Sequence, residues 1–199
     1  MILYNYLQLI QLPNRPLTNN SISTALLEKG IHDFWGAIQY VHQLPYGRTT
    51  DRENYLEVLT EEKGACSGKH ALIAALAEEL EIPLYLFLGI FLITAENTPG
   101  IASILKKHNL EAIPEAHCYL RYYDQTLDIT FPNNNNFVFD VVLEKEIAIS
   151  PDQIGAFKLK AHQGFIKEWI ENKPKLDFYK IWTAREEWIA ELSKLNSNK

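Results

Sequence analysis

The chain has 199 residues, 47% of them hydrophobic and 22% charged, which fits one globular domain and excludes disordered, collagen-like and low-complexity classes. Its formal charge is −6, with 19 Lys and Arg against 25 Asp and Glu. No basic footprint for nucleic acid and no uninterrupted Lys/Arg patch for an anionic membrane follows from that balance.

In chain order, residues 1–16 are apolar but lack a charged leading segment and a small-residue cleavage site, so they do not read as a signal peptide. Leu26, Leu27, Ile31, Phe34, Trp35, Ile38 and Val41 recur three and four apart and predict a helix over 21–44, ended by Pro45-Tyr46-Gly47. Residues 48–54 are a polar loop or cap, and 55–59 lead into a turn at Glu61-Glu62-Lys63-Gly64. Residues 66–81 are rich in helix formers, and Pro83 stops that helix.

The most hydrophobic run is 84–94. Eleven residues are too short to cross about 30 Å of hydrocarbon as a helix, so it reads as a buried strand and no membrane partner is expected. A turn at Pro99-Gly100 precedes a short helix at 101–108. Strand-like runs follow at 117–122, 126–131 and 137–143, the first two joined by a hairpin at Tyr123-Asp124-Gln125. The last two are separated by Pro132 and the asparagine run 133–136, a loop by composition that could gate a nearby site.

Residues 151–171 and 176–195 are amphipathic helices. Their Trp169, Trp182 and Trp188 are expected in the core, with a substrate wall or dimer contact as the alternative. Helices first, sheet in the middle and helices last indicate one α+β domain over 1–199, closed by a helical pair at about 151–196.

Two cysteines, Cys66 and Cys118, are too few for a disulfide framework, which points to a reduced, cytoplasmic protein. Cys66 stands where a turn enters a helix, between Gly64-Ala65 and Ser67-Gly68-Lys69. Unpaired N–H groups and the helix dipole favour a thiolate there and could stabilise an oxyanion on a substrate carbonyl. His117 and Asp128 lie eleven apart across the hairpin. Side chains alternate along a strand, so an even loop puts both on one sheet face and sends Cys118 to the other as a core thiol. A turn at 122–123 would set the pair directly opposite, and one at 124–125 would set it diagonal.

The roles that follow are Cys66 as nucleophile, His117 as its base and later acid, and Asp128 as the group that orients the imidazole. His70 is an alternative base without a carboxylate partner in the sequence. A zinc site built from Cys66, His70, His117 and Cys118 fits poorly, because ligand spacings are irregular and adjacent strand residues face opposite ways. Lys63 and His70 break the phosphate-loop pattern, and Ser67 lacks the glycine frame of a hydrolase serine. Asn54, Gln43 and Trp35 lie upstream as weak candidates for a second oxyanion donor.

The segments Gly64-Ala65-Cys66-Ser67-Gly68-Lys69-His70, Ala116-His117-Cys118-Tyr119-Leu120 and Leu127-Asp128-Ile129-Thr130 resemble the transglutaminase-like superfamily, within the papain-like cysteine enzymes. The resemblance covers about residues 55–145. It implies a nucleophile helix packed on a small antiparallel sheet, flanked by N- and C-terminal helices, with Cys66, His117 and Asp128 as catalytic residues. It also implies acyl-thioester chemistry on a peptide, protein or small amide, with no cofactor or metal. Ser67 stands where eukaryotic transglutaminases carry an aromatic residue, and the Arg-Gly-Gly stretch of arylamine acetyltransferases is absent. Peptidase, amidase and acyltransferase outcomes stay open, as does a non-catalytic domain that keeps the fold to bind a peptide or protein.

Overall fold

A computed structural model describes residues 3–98, 100–132, 134 and 136–197, with side chains up to residue 194. Among these residues the chain is mixed α+β, with eight α-helices and one four-stranded antiparallel sheet. The helices are α1 (Leu3–Leu9), α2 (Ser21–Leu27), α3 (Phe34–Gln43), α4 (Glu57–Thr60), α5 (Cys66–Glu79), α6 (Ala102–Lys107), α7 (Ala156–Ile170) and α8 (Phe178–Ser197). The strands are β1 (Tyr85–Ile93), β2 (Ile113–Tyr122), β3 (Gln125–Leu127) and β4 (Leu143–Ile149), in the spatial order β3-β2-β1-β4. None of the described helices is long and apolar enough to cross a membrane.

Residues 69–77 of α5 are buried on every side, as expected for a helix enclosed by sheet and helices rather than half-solvated. One sheet face, with Leu86, Leu88 and Ile90 of β1 and Ala116, Cys118 and Leu120 of β2, packs with α5, α3 and α1 in the main core. A second cluster joins Ile93 at the end of β1 to α6, α7 and α8 around Ile181 and Trp188.

The helix expected over 21–44 is two helices. Gly30 takes φ +77° between them, and the Asp33 carboxylate caps the second by accepting from the Gly36 N–H at 2.8 Å. The helix expected over 151–171 is likewise interrupted, by a 3-10 turn at Pro151–Ile154 and Gly155. The expected turn at Pro99-Gly100 falls partly on Pro99, outside the described residues, and the asparagine run does so at Asn133 and Asn135.

Two strand expectations change. The run 126–131 stays in the sheet only to Leu127, because the following donors go elsewhere: Ile129 N–H to His70 Nε2 at 2.9 Å, and Thr130 N–H to Asp128 Oδ1 at 2.9 Å. The fourth strand is not 137–143 but β4, whose Glu144-Lys145-Glu146 segment reads as solvent in sequence. Charges on an exposed edge strand deter edge-to-edge pairing, and this is where they sit.

Candidate active site

The hairpin closes on Tyr123-Asp124, with Tyr122 opposite Gln125 and Leu120 opposite Leu127. The loop is even, and its register falls between the two weighed from the sequence. Continued one step, it sets residue 128 opposite 119, so Asp128 lies diagonal to His117 on the same face. His117 Nε2 and Asp128 Oδ2 are 2.9 Å apart. The other carboxylate oxygen accepts from the Thr130 hydroxyl at 2.6 Å and from its N–H, so the carboxylate is itself held. Gly89 stands opposite His117 on β1; a Cβ there would lie 2.9 Å from Leu143 and 3.0 Å from Tyr119. The bare glycine makes room there for Leu143 and Tyr119, and Phe139 stacks on the imidazole at 4.6 Å between ring centroids.

Cys66 is the first residue of α5. Because β3 ends at Leu127, the edge of β2 has no partner strand at Cys118, and the Cys118 N–H and the His117 ring both favour the thiolate of Cys66. With Nε2 committed to Asp128, Nδ1 is the imidazole nitrogen left for the sulfur. Lys158 of α7 places its ammonium 3.6 Å from the same sulfur.

Burial opposes charge on the Cys66 thiol, but Lys158, His117 and the Cys118 N–H outweigh it and bring it down to about 6. Burial also disfavours the imidazolium, yet Asp128 and then the Cys66 thiolate raise His117 to about 10. Asp128, buried as well, is kept ionised well below the usual carboxylate range by His117 and Thr130. Near neutral pH the group is a thiolate–imidazolium–carboxylate row. Cys118 is fully buried on the opposite face, and burial pushes its thiol up to about 12.

His70 is not a base here. Its Nδ1–H donates to the Cys66 carbonyl at 2.7 Å and its Nε2 accepts from the Ile129 N–H. Asp128 Oδ1 lies 3.5 Å from Nε2, but the shorter contact requires that nitrogen to be unprotonated, so this is no ion pair. Burial agrees, pulling His70 down to about 4. With both nitrogens used, His70 cannot join Cys66 around a zinc ion; it ties the Cys66 backbone to the segment carrying Asp128.

Lys69, one residue earlier, does similar work. Its buried ammonium donates to the carbonyls of Leu44 at 2.6 Å, Thr130 at 2.9 Å and His42 at 3.3 Å, joining α3, α5 and the Asp128 segment. Gly64 makes room for it: a Cβ there would stand 2.9 Å from Lys69 Cγ, on a stem held at its far end.

Two chambers meet at the sulfur. One, of about 230 Å³, is lined by the start of α5, Lys158 and a set of arginines and carboxylates. The other, of about 200 Å³, is lined by His117, Asp128 and the rings of Phe91, Phe131, Phe139 and Trp188. Tyr46 borders both. Burial and the neighbouring Cys66 thiolate raise its phenol far above its ordinary value, so it remains a proton donor. The N–H groups of Cys66 and Ser67 have no acceptor among the described residues, as expected in a first helical turn. Asn54 lines the first chamber, but its side-chain oxygen accepts from the Leu56 N–H. Trp35 donates to Leu12 O and Gln43 is exposed, so neither serves the sulfur.

Sequence reasoning brought Cys66, His117 and Asp128 together and missed Lys158, Tyr46 and Phe139. Lys158 lies 92 residues from Cys66 in an unremarkable amphipathic helix, and no local pattern marks it. Trp188, expected mainly as core, is both core and chamber wall. No family model, no curated protein and no solved structure matches this chain.

Proposed function

We propose that this chain is a transglutaminase-like cysteine enzyme with a papain-like core, acting on an amide, ester or thioester through an acyl-thioester intermediate. The observation that carries this reading is the cysteine at the start of α5, lining one chamber with an imidazole whose far nitrogen is held 2.9 Å from a buried carboxylate. In the first half-reaction the Cys66 thiolate attacks the carbonyl carbon, forming the C–S bond and moving the π pair onto oxygen. The oxyanion faces the N–H groups of Cys66 and Ser67, Lys158 and the Tyr46 hydroxyl. Its collapse breaks the bond to the leaving group, which takes the proton of the His117 imidazolium. Neutral His117 then removes a proton from water or an acceptor amine. That nucleophile displaces the thiolate, completing hydrolysis or acyl transfer and restoring the ion pair.

The test is selective labelling. Iodoacetamide at pH 7 is expected to modify Cys66 at least about a hundredfold faster than Cys118, as their ionisation near 6 and near 12 dictates. An activated acyl donor should leave a hydroxylamine-sensitive mass adduct on Cys66 that Cys66→Ser abolishes. Equal, slow labelling of the two cysteines, with no adduct, would defeat the proposal.

A further inference from the structure

The two chambers differ in kind, and the triad decides which part of a substrate each receives. His117, the acid of the proposed ion pair, lines the aromatic chamber and not the charged one. The unpaired N–H groups at the start of α5 and Lys158 line the charged chamber. Proton delivery therefore sets the leaving group among Phe91, Phe131, Phe139 and Trp188, and the carbonyl oxygen and acyl chain on the Lys158 side.

The charged chamber is not balanced. Arg48, Arg52, Lys158 and Arg185 line it with Glu53 and Glu115. Arg185 is held by both oxygens of Glu115 at 2.8 and 2.7 Å and by Glu186 at 2.6 Å, and Arg48 is held by both oxygens of Glu186. Those two arginines are already paired. Arg52 has no carboxylate partner among the described residues, since Glu53 folds its stem against Gly155. Lys158 is countered by the thiolate and by the already paired Glu115. When the sulfur becomes a neutral thioester, that countercharge vanishes. The acyl-enzyme then holds a surplus of positive charge at the acyl chain, where an anion is favoured.

We infer that the acyl donor carries a carboxylate on its acyl side and an apolar, preferably aromatic, leaving group. This rests on the acyl-transfer reading above and adds to it the substrate class and its orientation. The class is a carboxylate-bearing acyl group joined through an amide or thioester to a hydrophobic amine or thiol.

The probes are three thioesters: S-benzyl succinyl, its methyl ester, and S-(2-hydroxyethyl) succinyl. Their leaving thiols have similar basicity. Acylation of Cys66 is followed by intact mass, and each rate is divided by that for acyl transfer to N-acetylcysteine. The expected order puts S-benzyl succinyl about tenfold above the methyl ester and above the hydroxyethyl thioester. The first ratio should fall at least about threefold in Arg52→Gln and in 0.5 M NaCl, because the pair is exposed to screening. Iodoacetamide labelling of Cys66 runs alongside. If Cys66 is labelled fast but the methyl ester matches the free acid, or the hydroxyethyl thioester matches the benzyl one, this inference is overturned and the cysteine-enzyme reading stands. If Cys66 is not labelled faster than Cys118, both fall.

Discussion

Lys158 offers the sharpest perturbation, because it reaches the sulfur from outside the Cys66, His117 and Asp128 group. Replacing it with Met keeps much of the stem's packing and deletes one unit charge 3.6 Å from Sγ. At that distance Coulomb's law gives about 4.6 kcal/mol for an effective dielectric of 20 and about 1.2 kcal/mol in water. Lys158 is half-buried and borders an open chamber, so the pair lies between these limits. One pH unit corresponds to about 1.4 kcal/mol, so the thiol midpoint should rise by about one to three units. From about 6 in the native protein it would move to between about 7 and about 9. The assay is the rate of iodoacetamide alkylation at Cys66 against pH, with the modified peptide quantified by mass and folding checked by thermal melting. Lys158→Arg, which keeps the charge, should stay near the native midpoint. A Lys158→Met protein that melts normally and titrates within half a unit of the native one would refute the assigned role.

Three further outcomes follow from the same geometry. Turnover (kcat/KM) should be bell-shaped in pH, lost on the acid side as the thiolate is protonated near 6 and on the alkaline side as His117 loses its proton near 10; the two limbs belong to the coupled pair, and a single-limbed profile would contradict it. His70→Ala should cost about 2–4 kcal/mol in urea unfolding, since it leaves a cavity and strands the Ile129 N–H; a loss below about 0.5 kcal/mol would show that this tie carries no weight. Acid stability should depend on Glu115, which burial alone would raise but which Arg185 holds down to about 2. A depressed folded-state acid contributes stability above its unfolded value and loses it as pH falls, here between about 4.5 and about 2. Up to about 3 kcal/mol is at stake for this one group, measured as the drop in urea midpoint between pH 5 and pH 2.5. A flat midpoint over that window would rule the pairing out as a stabilising element.

Local chemistry was legible in the sequence where it depends on neighbours along the chain. The start of the helix at Cys66 follows from Gly64 and the helix formers behind it, and β1 follows from an unbroken apolar run. That His117 and Asp128 could share a face follows from the two-residue period of a strand, given an even loop. Where the strands end did not follow. Asp128 leaves the sheet because its own carboxylate captures Thr130 and because His70, 59 residues upstream, takes the next N–H. Beta-strand patterning reports which residues fit a half-buried pleated surface, and it cannot register a donor claimed from another element. β4 was hidden for the complementary reason, its charges being compatible with an edge and with a loop alike.

By itself, then, the sequence determined a helix-start cysteine, a histidine and an aspartate of matching parity, and a buried central strand to hold them. Only the tertiary structure decided that the imidazole meets the sulfur, that His70 is a tie rather than a base, and that Lys158 supplies the charge beside the thiolate. The physical reason is range. Helix capping and side-chain alternation act over a few residues, whereas thiolate charge and chamber shape depend on groups that packing brings together from 92 residues away.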